Sequence, residues 1–156
     1  MLDLRIDNAT IYDGSGSAPL NGSIGIKGGR ICELGKIEAP AQSRVDAAGL
    51  ALMPGIVDTH THYDAQITWD PFANPSPALG VTTVVMGNCG FTIAPCRPAD
   101  RDLTMRNLTH VEGMSLDALR EGIDWGFESF PQYLDMLAKK GVGPNVACGL
   151  GRVKPR

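Results

Sequence analysis

Three side chains stand out as able to do chemistry together. His60 and His62 are separated by one threonine and follow the apolar pair Ile56-Val57. On an extended chain, side chains alternate between faces. The two imidazoles then project the same way, with Asp58 behind them. Two imidazoles at the end of a strand can grip one metal ion from one side. Cys89 closes a second β-prone run, Val81-Thr82-Thr83-Val84-Val85-Met86, and sits within Gly87-Asn88-Cys89-Gly90. Two imidazoles and a thiolate are reasonable zinc ligands, with bonds of about 2.0–2.1 and 2.3 Å. Zinc with an open position lowers the pKa of bound water from about 15.7 to about 7. That chemistry suits attack on an amide carbonyl near neutral pH.

Each residue also has a plainer reading. A lone histidine is usually a surface or packed residue, and a free cysteine is among the most buried residue types. Cys32, Cys96 and Cys148 read as structural on that ground. His110 lies in a helical segment without a sequence neighbour that could share a ligand, and reads as a surface residue.

The elements that must position these groups are legible in part. Leu2, Leu4 and Ile6 alternate with Asp3, Arg5 and Asp7, which predicts a half-buried strand, resuming at Thr10-Ile11-Tyr12. Residues 23–27 and 30–34 read as two strands joined at Gly28-Gly29, a two-residue hairpin signal. Residues 35–43 read as loop. A short strand interrupted by Gly49 follows within residues 44–53. Residues 1–53 are thus a region of β-sandwich-type strands without candidate catalysts.

The pattern changes at Pro54. A strand over 56–62 leads into a Pro-, Asn- and Asp-rich loop, anchored by Trp69 and Phe72. A short helix after Asn74 ends near Gly80. The run 81–86 suits a strand covered on both faces, as in a parallel sheet. Residues 100–124 are helical in pattern, interrupted at Gly113 and Gly122, with Ser115 as a cap. Ser129-Phe130-Pro131-Gln132 fits a capping box that opens a helix with Tyr133, Leu134 and Leu137 on its apolar face. Lys139, Lys140 and Gly141 close that helix. Residues 144–149 form a last strand. The order predicts βαβ units, with reactive groups at the C-terminal ends of parallel strands.

Size and composition bound the rest. A chain of 156 residues supports one ordinary core but is too short for a complete eight-fold barrel, about 250 residues. A net charge of −3 and the lack of a basic cluster give no reason to expect nucleic acid. No apolar run reaches membrane-spanning length, and the N-terminus lacks a signal-peptide pattern. The four cysteines form no Cys-x-x-Cys pair. The expectation is a cytoplasmic protein with reduced thiols.

The segment Pro54 to His62 resembles the first metal motif of the amidohydrolase superfamily. The segment Gly80 to Phe91, with Ala94-Pro95, resembles more narrowly the N-acyl-D-amino-acid deacylases (D-aminoacylases). So do Glu121 to Trp125 and Glu128 to Leu134. The resemblance implies an α/β fold: small β-sandwich strands over 1–53, then the first strands and helices of a metal-bearing (β/α)8 TIM barrel over 54–156. It implies zinc held by His60, His62 and Cys89, and hydrolysis of an N-acyl-D-amino acid to a carboxylate and a free D-amino acid. In that family further histidines and a catalytic aspartate come from later strands, which have no counterpart here, so no catalytic residue is assigned. Arg152 stands where the family commonly has a histidine. The chain reads as an N-terminal or truncated portion, inactive alone, whose uncovered strands favour a homo-oligomer. Two other readings stay open: a non-catalytic metal-binding or assembly fragment, and a cyclic amidohydrolase of hydantoinase or dihydroorotase type. The lack of an arginine soon after His62 weighs against the latter.

Overall fold

The computed structural model describes residues 1–150. Arg152 and the expectation attached to it lie outside that range. The chain divides into two units, the first spanning Met1–Pro54 and the second beginning at Gly55.

The first unit is one mixed sheet. Its strands are β1 (Leu2–Ile11), β2 (Leu20–Lys27), β3 (Arg30–Gly35), β4 (Ala41–Asp46) and the short β5 (Ala51–Leu52). The order is β3-β2-β1-β4, with β5 also paired to β1. β1 is antiparallel to β2 and parallel to β4 and β5. The Gly28-Gly29 hairpin has positive φ at both residues, 58° and 72°, as the sequence predicts.

Two details depart from the sequence pattern. First, β1 is continuous but bulged between Ile6 and Ala9, with Asn8 at φ 55°. The extra residue shifts the alternation by one position. Ala9 and Ile11 therefore join Ile24 and Ala47 in the small core, while Ile6 is only partly buried. Second, the region expected as loop to residue 43 already enters β4 at Ala41, paired with Leu2. Its side chains are mostly exposed, so no apolar alternation announces it.

The second unit carries a parallel sheet of β6 (Ile56–Thr61), β7 (Val81–Met86) and β8 (Asn145–Cys148), in that order. Short 3-10 turns at Gln66–Thr68 and Ser76–Leu79 lie between β6 and β7. Between β7 and β8 run α1 (Arg101–Glu112), α2 (Leu116–Gly122) and α3 (Phe130–Lys140). Ser115 caps α2 by accepting from the Ala118 amide, and Ser129 with Gln132 forms the predicted capping box of α3. Gly113 ends α1 in the left-handed conformation.

The core of this unit gathers Val84 and Met86 of β7, Leu119 of α2, and Tyr133 and Leu137 of α3, with Ile67 from the first 3-10 turn and Ile93 from a loop. Leu134 is 41% exposed, so the buried face of α3 is narrower than its sequence pattern. The loop after β6 is anchored by Ala65, Ile67 and Ala73 rather than by its aromatics. Trp69 and Phe72 lean against Gly122 and Gly143 but remain 40% and 62% exposed. Backbone-level ties hold that loop: the Tyr133 hydroxyl donates to the Asp64 carbonyl at 2.8 Å, and the Thr68 hydroxyl accepts from the Asp124 amide at 3.1 Å.

Candidate metal centre

The three strand-end residues converge. β6 and β7 are parallel, with Thr61 paired to Met86, so His62 and the Gly87–Gly90 turn leave the sheet at the same rim. That rim is stitched by side chains. The Thr61 hydroxyl donates to the Val85 carbonyl at 3.0 Å, and the Asn88 amide donates to the Thr59 carbonyl at 2.8 Å. The turn closes through the Gly90 amide, which donates to the Gly87 carbonyl at 3.0 Å. Gly87 has φ 73°, and a Cβ there would meet the Gly149 carbonyl oxygen at 2.6 Å. Only glycine fits this backbone and this approach of β8. The turn thereby aims Cys89 back toward the histidines.

His60 and His62 lie side by side, ring centroids 5.4 Å apart and planes 22° from parallel. Cys89 Sγ is 3.9 Å from His62 Nδ1. One potential ligand atom from each of His60, His62 and Cys89 lies within 4.8 Å of the others. His60 is exposed, while His62 and Cys89 are half-buried, so the cluster faces the rim rather than the core. Asp58 turns its carboxylate to the His60 amide, 3.2 Å away, which holds the strand end instead of extending the cluster. His110 lies exposed on α1.

Two acidic groups flank His62, neither singled out by the sequence reading. A carboxylate oxygen of Glu112, the last residue of α1, lies 2.6 Å from His62 Nδ1, and its side chain is only 14% exposed. Asp64 is 3% exposed. Burial raises its carboxyl pKa to about 6, offset in part by the Thr92 hydroxyl. Its Oδ1 has no hydrogen-bond partner among the described residues. Asp64 follows His62 at the same two-residue spacing in sequence, but it lies in the turn after β6 and not on the strand. Glu112 approaches from a distant helix, and nothing local in the sequence points to it.

The donor set fits zinc. Imidazole and thiolate are borderline-soft donors that zinc favours over oxygen-seeking cations. A buried carboxylate oxygen without a partner beside His62 adds local negative charge that a cation offsets.

The other cysteines stand apart. Cys32, expected to be structural and buried, is exposed because β3 is the edge of its sheet. Cys96 is buried, and burial raises its pKa. Cys148, at the end of β8, has its thiol pushed up to about 12 by burial and by the nearby Asp64 charge. All four cysteines are free thiols.

Comparison with known proteins gives a consistent result. The amidohydrolase family profile matches residues 44–140. The D-aminoacylase of Alcaligenes xylosoxydans xylosoxydans is 37% identical over 150 residues, 96% of this chain and 29% of that protein. The N-acyl-D-aspartate deacylase of the same organism is 37% identical over 145 residues, 92% of this chain and 27% of that one. A D-hydantoinase of Rhizobium radiobacter is more distant, 31% identical over 129 residues, 81% of this chain and 26% of that protein. A D-aminoacylase structure described for its binuclear metal centre superposes with a TM-score of 0.79 at 32% identity, covering 97% of this chain and 30% of that one. An N-acyl-D-glutamate deacylase from Bordetella bronchiseptica, complexed with zinc and a phosphonate mimic of the tetrahedral intermediate, gives 0.76 at 31%, covering 96% and 29%. The chain therefore spans about 30% of the length of the relatives it matches.

Proposed function

The chain belongs to the amidohydrolase family, and from that premise we propose that it is the metal-binding part of a zinc-dependent N-acyl-D-amino-acid deacylase. The observation that carries this reading is the convergence of His60, His62 and Cys89 at one rim of a parallel sheet. These three residues would hold the ion. When bound, zinc supplies Lewis acidity and makes water a stronger acid near neutral pH. The chain's own contribution is positional. β6 and β7 fix the two strand ends, the Gly87–Gly90 turn directs the thiol, and Tyr133 and Thr68 anchor the loop behind His62.

The same reading assigns the second unit to the opening of a (β/α)8 barrel and the first unit to sandwich-type strands. In the family the sequence resembles, the catalytic aspartate comes from later strands, outside the roughly 30% of the relatives' length that this chain spans. Ile56, Val57 and Leu79 are 43%, 55% and 72% exposed, which supports assembly with further chain or with a second copy. The free thiols support a reducing, cytoplasmic setting. Among the described residues, no helix is long and apolar enough to cross a membrane.

The test is hydrolysis of N-acetyl derivatives of D-methionine, D-aspartate and D-glutamate by the purified, zinc-loaded chain. Negligible turnover is expected, with activity gained when the relatives' remaining segment is joined to it. Robust turnover by the chain alone overturns the division of labour. Hydrolysis of a cyclic amide in preference to all three overturns the substrate class.

A further inference from the structure

The end of β6 is irregular where the histidines sit. Asp58 pairs with Val84 and Thr61 with Met86, so three steps along β6 match two along β7. Thr59 and His60 fall outside the paired register. An extra residue in one strand bends that strand and takes backbone groups out of the ladder. Groups freed in this way bond to side chains or to water. Here side chains take them. The Asp58 carboxylate accepts from the His60 amide at 3.2 Å, and the Asn88 side-chain amide donates to the Thr59 carbonyl at 2.8 Å. A carbonyl only accepts, so the group that Asn88 turns toward it is the NH2.

The second bond has a particular placement. Thr59 directly precedes His60, and Asn88 directly precedes Cys89. One hydrogen bond therefore joins the neighbours of two candidate ligands that come from different strands. The turn's internal bond, from the Gly90 amide to the Gly87 carbonyl at 3.0 Å, shapes the turn without reaching β6. Asn88 reaches it. The Cys89 thiol on this turn stands 3.9 Å from His62 Nδ1, in a cluster whose ligand atoms lie within 4.8 Å of one another. A metal site tolerates displacements of only about 0.5 Å from its productive geometry. A turn free to slide along the sheet rim would exceed that.

We infer that Asn88 is a positioning residue of the metal centre: through the Thr59 carbonyl it fastens the Cys89 turn to the irregular end of β6 and sets the spacing between thiol and imidazoles. The inference deepens the zinc reading and rests on it. Asn88 acts through Cys89 and His60 and is not itself a ligand.

Cobalt(II) substitution of the full 156-residue chain tests it. A thiolate bound to cobalt adds a sulfur-to-metal charge-transfer band in the near ultraviolet. That band reports Cys89 separately from the histidines, and Cys89→Ala sets its baseline. The parent shows the band at saturating cobalt. Asn88 is exposed, so Asn88→Ala keeps the parent's far-ultraviolet dichroism. It loses most of the band while still retaining cobalt. Its zinc affinity, by chelator competition, falls about tenfold or more, as for other groups that orient a ligand. Asn88→Gln keeps an amide donor and loses less than Asn88→Ala. Amide hydrogen exchange over residues 87–90 in the metal-free chain gives a second readout, and is faster in Asn88→Ala than in the parent. An undiminished band and unchanged zinc affinity in Asn88→Ala overturn the inference, as does exchange over 87–90 equal to the parent's. A parent that takes up no cobalt overturns the zinc reading instead, and the exchange measurement then decides the Asn88–Thr59 bond alone.

Discussion

The Tyr133 hydroxyl donates to the Asp64 carbonyl at 2.8 Å, joining α3 to the turn that follows His62. Tyr133 is fully buried, and the two residues are far apart in sequence. Tyr133→Phe keeps the ring and removes the donor, leaving a buried carbonyl unsatisfied. The expected cost is about 1–3 kcal/mol in urea unfolding. Zinc affinity falls with it, because the turn behind His62 loses its anchor. A variant as stable as the parent would show that the hydroxyl contributes nothing net.

Gly87 controls the direction of Cys89. An alanine there meets both a left-handed backbone, φ 73°, and the Gly149 carbonyl. Gly87→Ala is expected to destabilise by about 1–3 kcal/mol from the backbone conformation alone. It also displaces the thiol from the histidines. Thermal unfolding together with zinc titration checks both effects, and an alanine variant with unchanged zinc affinity would separate Gly87 from the site.

The parts of the molecule that the sequence made legible are those where a local rule and the tertiary structure agree. The His60-Thr61-His62 spacing, the capping box at Ser129 and the Gly28-Gly29 hairpin each rest on neighbouring residues. The misses have the opposite character. The bulge at Asn8 inverts the buried face of β1, yet asparagine gives no distinct sign of it. β4 pairs with β1 by backbone bonds while its side chains stay exposed, so it carries no apolar pattern. Leu134 satisfies the helical spacing but faces outward, because the packing surface of α3 is set by Tyr133 and Leu137. Glu112 could not be read locally, since its partner lies on another element.

The cysteines are expected to differ sharply toward alkylation. Cys32 is exposed on an edge strand and reacts with iodoacetamide at pH 8 within the native protein. Cys96 is buried and Cys148 is half-buried, and burial raises the pKa of both thiols, Cys148 to about 12, so their reactive thiolate is scarce. They react only after denaturation. Mass spectrometry of the alkylated peptides reads the order, and rapid native labelling of Cys148 would contradict the packing at the end of β8.

Asp102 sets a pH dependence that can be assigned in sign. Hydrogen bonds from Arg120, at 2.7 Å, and Arg106, at 2.6 Å, hold its carboxyl below the ordinary value of 3.8. A carboxyl depressed on folding stabilises the native state above its unfolded value. That contribution is lost as pH falls from about 3.8 through the lower native value. The group is solvent-exposed, so the effect on stability is small. Carboxyl-carbon NMR is expected to give a native midpoint below 3.8 that rises in Arg120→Ala. A midpoint unaffected by that substitution would show that the ion pair does not form in solution.

The central claim is that two imidazoles and one thiolate act as a single metal site. Equilibrium dialysis against zinc, followed by elemental analysis of the retained metal, tests it most directly on the parent chain and on His60→Ala, His62→Ala and Cys89→Ala. The account predicts that the folded parent retains zinc and that each substitution reduces it toward background while the fold persists. Equal zinc in the parent and in all three variants would contradict it.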